Sequence, residues 1–362
     1  MRVFYAVLDM GLGHATRSLP VIRALEEEGC RVTVGSAGSA LSLLRRECPD
    51  RESVGLPPYA LRYGRRGAGL PGLILQAPRM LRTIQQEHET LLRLVEELGA
   101  ERVVSDHRYG CWHPGVPSYF LTHQLRFIAP GTLRPFEVVG GLFNARYHRR
   151  FERVLVPDLP DEEGGLLSGR LTRGHRGADR SRHVFTGPLS RLVPGEGGEE
   201  GGPLDLFVSI SGPEPQRTIL EHLVMQQIRS LPGRREVALG LPGGTGREEP
   251  EEGLVVHEYL DADAMLSRMR RARMVVCRSG YSTLMELAAL GGKALLVPTP
   301  GQTEQLYLAR RAARRGWVHT VQQAEMDLPR DLERARESGG IPIGYRPRES
   351  ARRACEIILE GT

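Results

Sequence analysis

The sequence predicts an α/β protein made of two Rossmann-like, doubly wound parallel-sheet domains facing each other across a cleft. Three observations carry the prediction. Short apolar runs alternate with amphipathic stretches over nearly all of the 362 residues, as repeated βαβ units require. Residues 187–203, GPLSRLVPGEGGEEGGP, break that alternation with glycine, proline and acid and carry no periodic apolar face, which marks an interdomain linker. Three glycine-bearing turns follow apolar runs, at the carboxyl ends of strands where ligands of open parallel sheets bind.

In the first domain, residues 1–186, strands are expected at 2–8, 31–35, 101–105, 117–121 and 153–156. Helices are expected between them, at 15–28, 38–47 and 74–98. The second domain, 204–345, repeats the scheme. Its expected strands are 204–210, 235–241, 253–257, 273–277, 293–298 and 317–321, and its helices 214–230, 262–271, 281–290, 303–315 and 324–337. Residues 346–362 follow, with a basic helix from Arg348 to Leu359 expected to pack back on the first domain.

Composition describes an ordinary globular chain, 40% hydrophobic and 26% charged. The net charge is only +5, yet all but one of the 49 basic residues are arginine, Lys293 being the exception. That bias is either compositional or an affinity for anions, which the planar guanidinium suits. No basic stripe interleaved with aromatics appears, so nucleic acid is not an expected partner. The five cysteines (Cys30, Cys48, Cys111, Cys277, Cys355) lack CxxC or Cys/His zinc spacing and read as reduced thiols in a cytoplasm. The first strand begins at Arg2, leaving no room for a signal peptide, and no apolar run approaches the ~18 residues of a membrane span. A soluble or peripheral protein is expected.

The first glycine turn, Gly11-Leu12-Gly13-His14, closes strand one and opens a helix. The glycines allow backbone N–H groups to approach a ligand, whereas a phosphate-cradling loop has no need of a histidine. Taken alone the stretch is equally a tight strand–helix turn. The second turn, Ser209-Ile210-Ser211-Gly212-Pro213-Glu214, presents helix N-terminal N–H groups as an anion site. The third runs from Cys277 through Arg278, Ser279, Gly280 and Tyr281 to Ser282 and Thr283. Glu286, one helical turn later, is placed to accept hydrogen bonds from a ribose diol. Asp261-Ala262-Asp263 invites a metal reading, but it precedes an amphipathic stretch where aspartate is a preferred helix cap.

The stretch CRSGYSTLMELAALGGKALLVPTPGQTEQ resembles the donor-binding signature of GT-B glycosyltransferases, in the group of the lipid II-forming N-acetylglucosaminyltransferase of peptidoglycan synthesis. GLGHATRS resembles the first loop of that group's relatives of unassigned substrate, as do VVSDHRYG, YFLTHQLR, LLSGRLTRG, TGPLSR and SISGPEPQRT. The resemblance implies a nucleotide-sugar donor, a UDP-sugar, held without an obligatory metal or other cofactor. By position it sets Gly11 and Gly13 of the first loop among the donor-binding residues and Ser211 and Gly212 on the diphosphate. Arg278, Ser279, Gly280, Ser282 and Thr283 fall near phosphate and base, and Glu286 on the ribose. Pro300, Gly301 and Gln302 come under the donor sugar, with Glu304 and Gln305 on its hydroxyls. The lipid II enzyme has a longer glycine run in loop one and a different sequence after the second proline, so its sugar specificity does not transfer.

Glycosyl transfer requires a stabilised leaving diphosphate and a deprotonated acceptor hydroxyl. Helix N-termini and arginines answer the first need, and a neutral histidine the second. His14 is the first candidate base, Asp106 the second catalytic candidate, and His107 and His123 are weaker ones. The rival reading is a nucleotide-sugar hydrolase resembling those of pseudaminic-acid synthesis, which carry a similar Gly-x-Gly-His-x-x-Arg stretch; there His14 activates water. The segment Leu56 to Arg93, with Arg62, Arg65 and Arg66 beside Leu70, Leu73, Ile74 and Leu75, suits an acceptor surface lying on anionic lipid. The expected acceptor is a sugar or lipid-linked molecule, and the expected location is cytoplasmic, peripheral on the inner face of the membrane.

Overall fold

The computed structural model describes residues 1–59, 70–129, 135–174, 179–191, 201–241, 244–342 and 346–361, with the backbone alone at 70–75. The chain divides into two compact units. Among the described residues the first takes 1–59, 70–191 and 346–361, and the second 201–342.

In the first unit β1 (Arg2–Val7), α1 (Gly13–Glu27), β2 (Arg31–Ser36), α2 (Gly38–Glu47), β3 (Ser53–Gly55) and α3 (Leu70–Leu98) lead to β4 (Arg102–Asp106) and β5 (Ser118–Leu121). Then come α4 (Pro135–His148), β6 (Arg153–Val156), a small antiparallel pair β7 (Pro160–Asp161) and β8 (Gly164–Gly165), and β9 (His183–Phe185). The main sheet is parallel, in the order β3-β2-β1-β4-β5-β6-β9. Phe4, Tyr5, Ala6 and Val7 of β1 are all fully buried, because a parallel sheet is covered on both faces and its central strand must be apolar throughout. Leu91 and Val95 of α3 pack on Phe4 and Val103. The strand order reverses between β1 and β4, and the register sets Val7 opposite Asp106, so both strands end side by side. That reversal opens a crevice at the carboxyl edge.

The second unit holds β10 (Leu206–Ser209), α5 (Gln216–Gln227), β11 (Arg235–Ala238), β12 (Arg247–Glu251), β13 (Leu254–His257), α6 (Ala262–Arg271), β14 (Val275–Cys277), α7 (Tyr281–Leu290), β15 (Ala294–Leu296), α8 (Thr303–Arg314), β16 (His319–Thr320) and α9 (Leu328–Arg336). Its sheet runs β12-β13-β11-β10-β14-β15-β16, parallel except for the edge strand β12, and reverses between β10 and β14. Each unit is thus a Rossmann-like parallel sheet.

A final helix, α10 (Pro347–Glu360), belongs to the first unit and packs on α1. It buries Ala351, Ala354, Cys355 and Ile358. Arg102 Nε donates to the Ile358 carbonyl at 3.1 Å. Gly187 approaches Ser350 so closely that a side chain there would collide with it.

The expected elements lie within a few residues of the observed ones. Those without a sequence signal are β3, α4, the pair β7–β8, β9 and the edge strand β12.

Candidate active site

The turn after β1 and the end of β4 bring His14 and Asp106 together at the crevice of the first sheet. His14 Nδ1 stands 2.8 Å from Asp106 Oδ1. Asp106 is fully buried and is gripped from the far side by Arg17, whose Nε donates to Oδ2 at 2.8 Å and whose Nη2 donates to Oδ1. Ser18 Oγ donates to Oδ2 at 2.8 Å. Arg17 lies three residues after His14, so α1 presents both on one face, and it also reaches His123 Nδ1 at 2.7 Å through Nη1. The His14 side chain keeps 16% of its surface exposed, and its Nε2 makes no hydrogen bond among the described residues. Gly11 takes φ +81°, a conformation that favours glycine and turns the chain into α1.

These contacts set the protonation states. Burial would raise the Asp106 carboxyl, but Arg17 and His14 overcome it and hold the group well below the usual carboxylate range. Burial lowers His14, and the Arg17 guanidinium lowers it further against the opposing pull of Asp106. His14 is therefore a neutral imidazole at pH 7, hydrogen-bonded through one nitrogen to a carboxylate, the arrangement of a histidine general base. His107 takes φ +61° and bonds Thr122 Oγ1 at 2.8 Å through Nδ1. Its ring centroid lies 5.6 Å from that of His14, and burial pushes it well below the ordinary histidine value.

A second buried network supports the crevice and was not expected from the sequence. Arg108 and Glu87, both fully buried, pair through Arg108 Nε, while Arg108 Nη1 donates to the Val7 carbonyl at 3.0 Å. Tyr59 Oη and the Gly110 N–H donate to Glu87 Oε2 at 3.0 and 2.7 Å. This ties α3, the end of β1 and the segment around Tyr59 into one piece. A side chain at position 110 would collide with the Ile84 carbonyl, so the tight turn there requires glycine. The segment's Arg62, Arg65, Arg66, Leu70, Leu73, Ile74 and Leu75 lie outside the residues, or the side chains, that the structure describes.

In the second unit the loops after β10, β14 and β15 gather the other candidates. Arg278, only 2% exposed, turns inward. Its Nε donates to the Ser211 carbonyl at 3.1 Å, Nη1 to Val297 at 3.0 Å, and Nη2 to Gln216 at 2.9 Å and to Gln323 Oε1 at 2.7 Å. Its donors hold the loops after β10, β15 and β16 against the end of β14. Ser279 is likewise buried and donates from Oγ to the Gln305 carbonyl at 2.8 Å. Gln305 accepts from the Thr299 N–H at 2.8 Å and donates to Gln302 Oε1 at 2.6 Å, which shapes the Pro300-Gly301-Gln302 turn. Gly212 and Gly301 adopt φ +116° and +80°, where glycine is favoured. Gly280, Ser282, Thr283 and Glu286 start and line α7, with the last three partly exposed; Glu304 opens α8. Cys277, just before them, is buried, and burial with the Glu286 carboxylate pushes its thiol up to about 12.

The N-cap residues of α1, α2, α5, α7, α8 and α10 make no side-chain cap, although in α5 Glu214 accepts from the Thr218 N–H at 3.3 Å. Helix α6 is capped by Asp261, whose Oδ1 accepts from the Ala264 N–H at 2.8 Å, and Asp263 sits in its first turn. Helix α9 is capped by Asp327.

Residues 245–338 match the glycosyltransferase family 28 C-terminal domain. The UDP-N-acetylglucosamine–N-acetylmuramyl-(pentapeptide) pyrophosphoryl-undecaprenol N-acetylglucosamine transferase of Alkalilimnicola ehrlichii is 28% identical over 333 residues, covering 88% of this chain and 84% of its own. An uncharacterized glycosyltransferase of Methanopyrus kandleri is 25% identical over 341 residues, 90% of each chain. Among solved structures, the glycotransferase of kitacinnamycin superposes with a TM-score of 0.64 at 18% identity, over 99% of this chain and 98% of that one. MurG of Acinetobacter baumannii gives 0.58 at 14% identity, over 99% of each chain. With the two parallel sheets and the loops described above, these likenesses support a GT-B, family 28-like glycosyltransferase, an enzyme that transfers sugar from a nucleotide sugar.

Proposed function

We propose that the chain transfers a hexosyl or N-acetylhexosaminyl group from a UDP-sugar to a hydroxyl of a lipid-linked acceptor, without an obligatory metal. The observation that carries the reading is the buried Asp106 carboxylate holding the exposed-edge imidazole of His14 in a base-competent state. His14 Nε2 takes the proton of the acceptor hydroxyl. The acceptor oxygen then forms its bond to the anomeric carbon, the bond from that carbon to the diphosphate oxygen breaks, and the diphosphate leaves with the electron pair. In the second unit the Ser211-Gly212 turn and the positive N-terminal ends of α7 and α8 stabilise the negative charge that develops there. Glu286 holds the ribose, and Gln302, Glu304 and Gln305 face the donor sugar. Asp261 serves helix α6 rather than a metal.

The names of the relatives support the donor and the undecaprenol-linked acceptor class. Among the described residues no helix is long and apolar enough to cross a membrane, so meeting such an acceptor requires a peripheral surface. The test is UDP release from a panel of UDP-sugars, each with and without undecaprenyl-diphosphate-linked and soluble sugar acceptors. Release that depends on the lipid-linked acceptor is expected. Equal release without any acceptor identifies a hydrolase.

A further inference from the structure

Among the described residues seven large apolar side chains are exposed, and four of the seven sit on α4: Phe136, Val138, Val139 and Leu142. A single exposed leucine is ordinary, whereas a contiguous apolar patch marks a surface that meets something. The helical period groups them. At 3.6 residues per turn Val138, Val139 and Leu142 share a stripe with Arg146, and Arg150 follows just past the end of the helix. Gly141, Asn144, Ala145 and His148 are turned away from that stripe and buried. Arg146 and Arg150 are exposed, and neither pairs with a carboxylate among the described residues. Arg150 lies over the Trp112 ring, 4.4 Å from its centroid. Glu137, the one acid of the helix, is withdrawn from this face: it accepts from the Ala129 N–H at 3.1 Å and pairs with Arg170 at 3.7 Å. The exposed side of α4 is therefore apolar in its first half and basic at its end.

The inner side of the helix leads to the crevice. Asn144 Nδ2 donates to the Gln124 and Leu125 carbonyls at 3.1 Å each, and its Oδ1 accepts from Tyr109 Oη at 2.9 Å. The Tyr109 ring centroid lies 5.0 Å from that of Phe143 and 5.4 Å from that of His107, and His107 lies 5.6 Å from His14. A short row of packed rings thus joins α4 to His14.

We propose that α4 rests on an anionic lipid bilayer, with Phe136, Val138, Val139 and Leu142 at the level of the upper acyl chains and Arg146 and Arg150 on lipid phosphates. This placement rests on the reading of a lipid-linked acceptor and names the surface through which the chain reaches it. Charge selects the occupant. Apolar residues ending in arginines without counter-charges, with the one acid withdrawn, complement a layer of phosphates above hydrocarbon. A second copy docking by the same face brings only its own arginines and no carboxylate to meet them.

The test uses the full chain and acceptor-free vesicles of phosphatidylcholine, with and without phosphatidylglycerol. At low salt the wild type is expected to co-sediment with the anionic vesicles and far less with the neutral ones. V139Q/L142Q, changed only at exposed positions, is expected to melt with the wild type and to lose at least about tenfold in vesicle affinity. R146Q/R150Q is expected to lose about fivefold per arginine. V139W reports the location directly: its added emission is expected to shift to the blue on anionic vesicles and to be quenched by brominated acyl chains. Undiminished vesicle binding by V139Q/L142Q overturns the proposal, as does a V139W emission that vesicles leave unchanged. A lipid-free dimer that V139Q/L142Q dissociates also overturns it, in favour of a second copy. Vesicle binding needs no turnover, so docking through α4 by a chain that transfers no sugar refutes the transferase reading alone. Use of a detergent-solubilised lipid-linked acceptor by a chain that ignores vesicles refutes the α4 surface alone.

Discussion

Replacing Asp106 by asparagine keeps the shape of the side chain and removes its charge. The native carboxylate is fully buried and accepts from His14 Nδ1, Arg17 Nε, Arg17 Nη2 and Ser18 Oγ. An amide can present only one oxygen. With its NH₂ toward His14 it donates to Nδ1, moves the imidazole proton to Nε2 and abolishes the base; with its NH₂ toward Arg17 Nε it sets donor against donor. Either way Arg17, 2% exposed, loses its counter-charge. Leaving one member of a buried pair uncompensated costs about 3–5 kcal/mol. For a unit of roughly 150–250 residues, at about 2–4 °C per kcal/mol, that lowers the melting point of the first unit by about 6–20 °C. A wrong histidine tautomer lowers turnover by up to about 10⁴-fold. The assay pairs a thermal melt with UDP release measured below the variant's transition. UDP affinity should be little changed, since the residues assigned to the diphosphate, base and ribose belong to the second unit. A D106N protein that melts with wild type and turns over within tenfold of it refutes the reasoning.

His14→Ala should lower turnover by about 10²–10⁴-fold with donor affinity little changed and the melt close to wild type, and normal turnover would return His14 to a plain turn residue. Because burial and Arg17 lower the His14 value, the active neutral form persists below the ordinary histidine pKa of about 6.5, so the acid limb of kcat/KM should lie below that pH. The stability linked to the neutral ring has the same sign: full above about 6.5, and lost as pH falls from there through the lower folded value. Activity should survive EDTA; an absolute need for Mn²⁺ or Mg²⁺ that disappears on mutating Asp261 or Asp263 would contradict their capping role. Glu286→Ala should weaken UDP binding by about 1–3 kcal/mol and 2′-deoxy-UDP by less, and equal losses place Glu286 off the ribose. Changing Arg62, Arg65 and Arg66 together to glutamine should reduce co-sedimentation with anionic vesicles, and raised salt should reduce it further; no binding by the wild type at low salt points to a soluble acceptor.

The parts of the fold legible in the sequence are those with a strong local period. β1 reads as a strand because burial on both faces makes it continuously apolar, and α2, α6 and α7 read to the residue because apolar faces or caps delimit them. Helix α4 gives no such signal. Its two glycines and apolar residues all round hide any single face, and the structure leaves Val138, Val139 and Leu142 exposed while burying Gly141, Asn144 and Ala145. The edge strand β12 is acidic and exposed, which no strand pattern anticipates. In the site, His14 and Asp106 were legible because each ends a strand at a glycine turn or an apolar run. Arg17 stood in the same quoted motif, and the three-residue spacing from His14 could have paired them. The Arg108–Glu87 pair was not legible, since two charges 21 positions apart become partners only when α3 is laid against β4.

The helix α10 makes the first unit discontinuous in the chain: its sheet is complete by residue 185, but one face of α1 is covered, and Arg102 Nε is bonded, by residues of α10. During synthesis the described residues of the second unit, 201–342, leave the ribosome before α10 does. The unit that carries His14 and Asp106 waits with an uncovered apolar face until the whole of its companion has been made. The α1–α10 contact of the first unit can therefore form only after the second unit has been translated, and the face of α1 against α10 is the surface that stays uncovered longest.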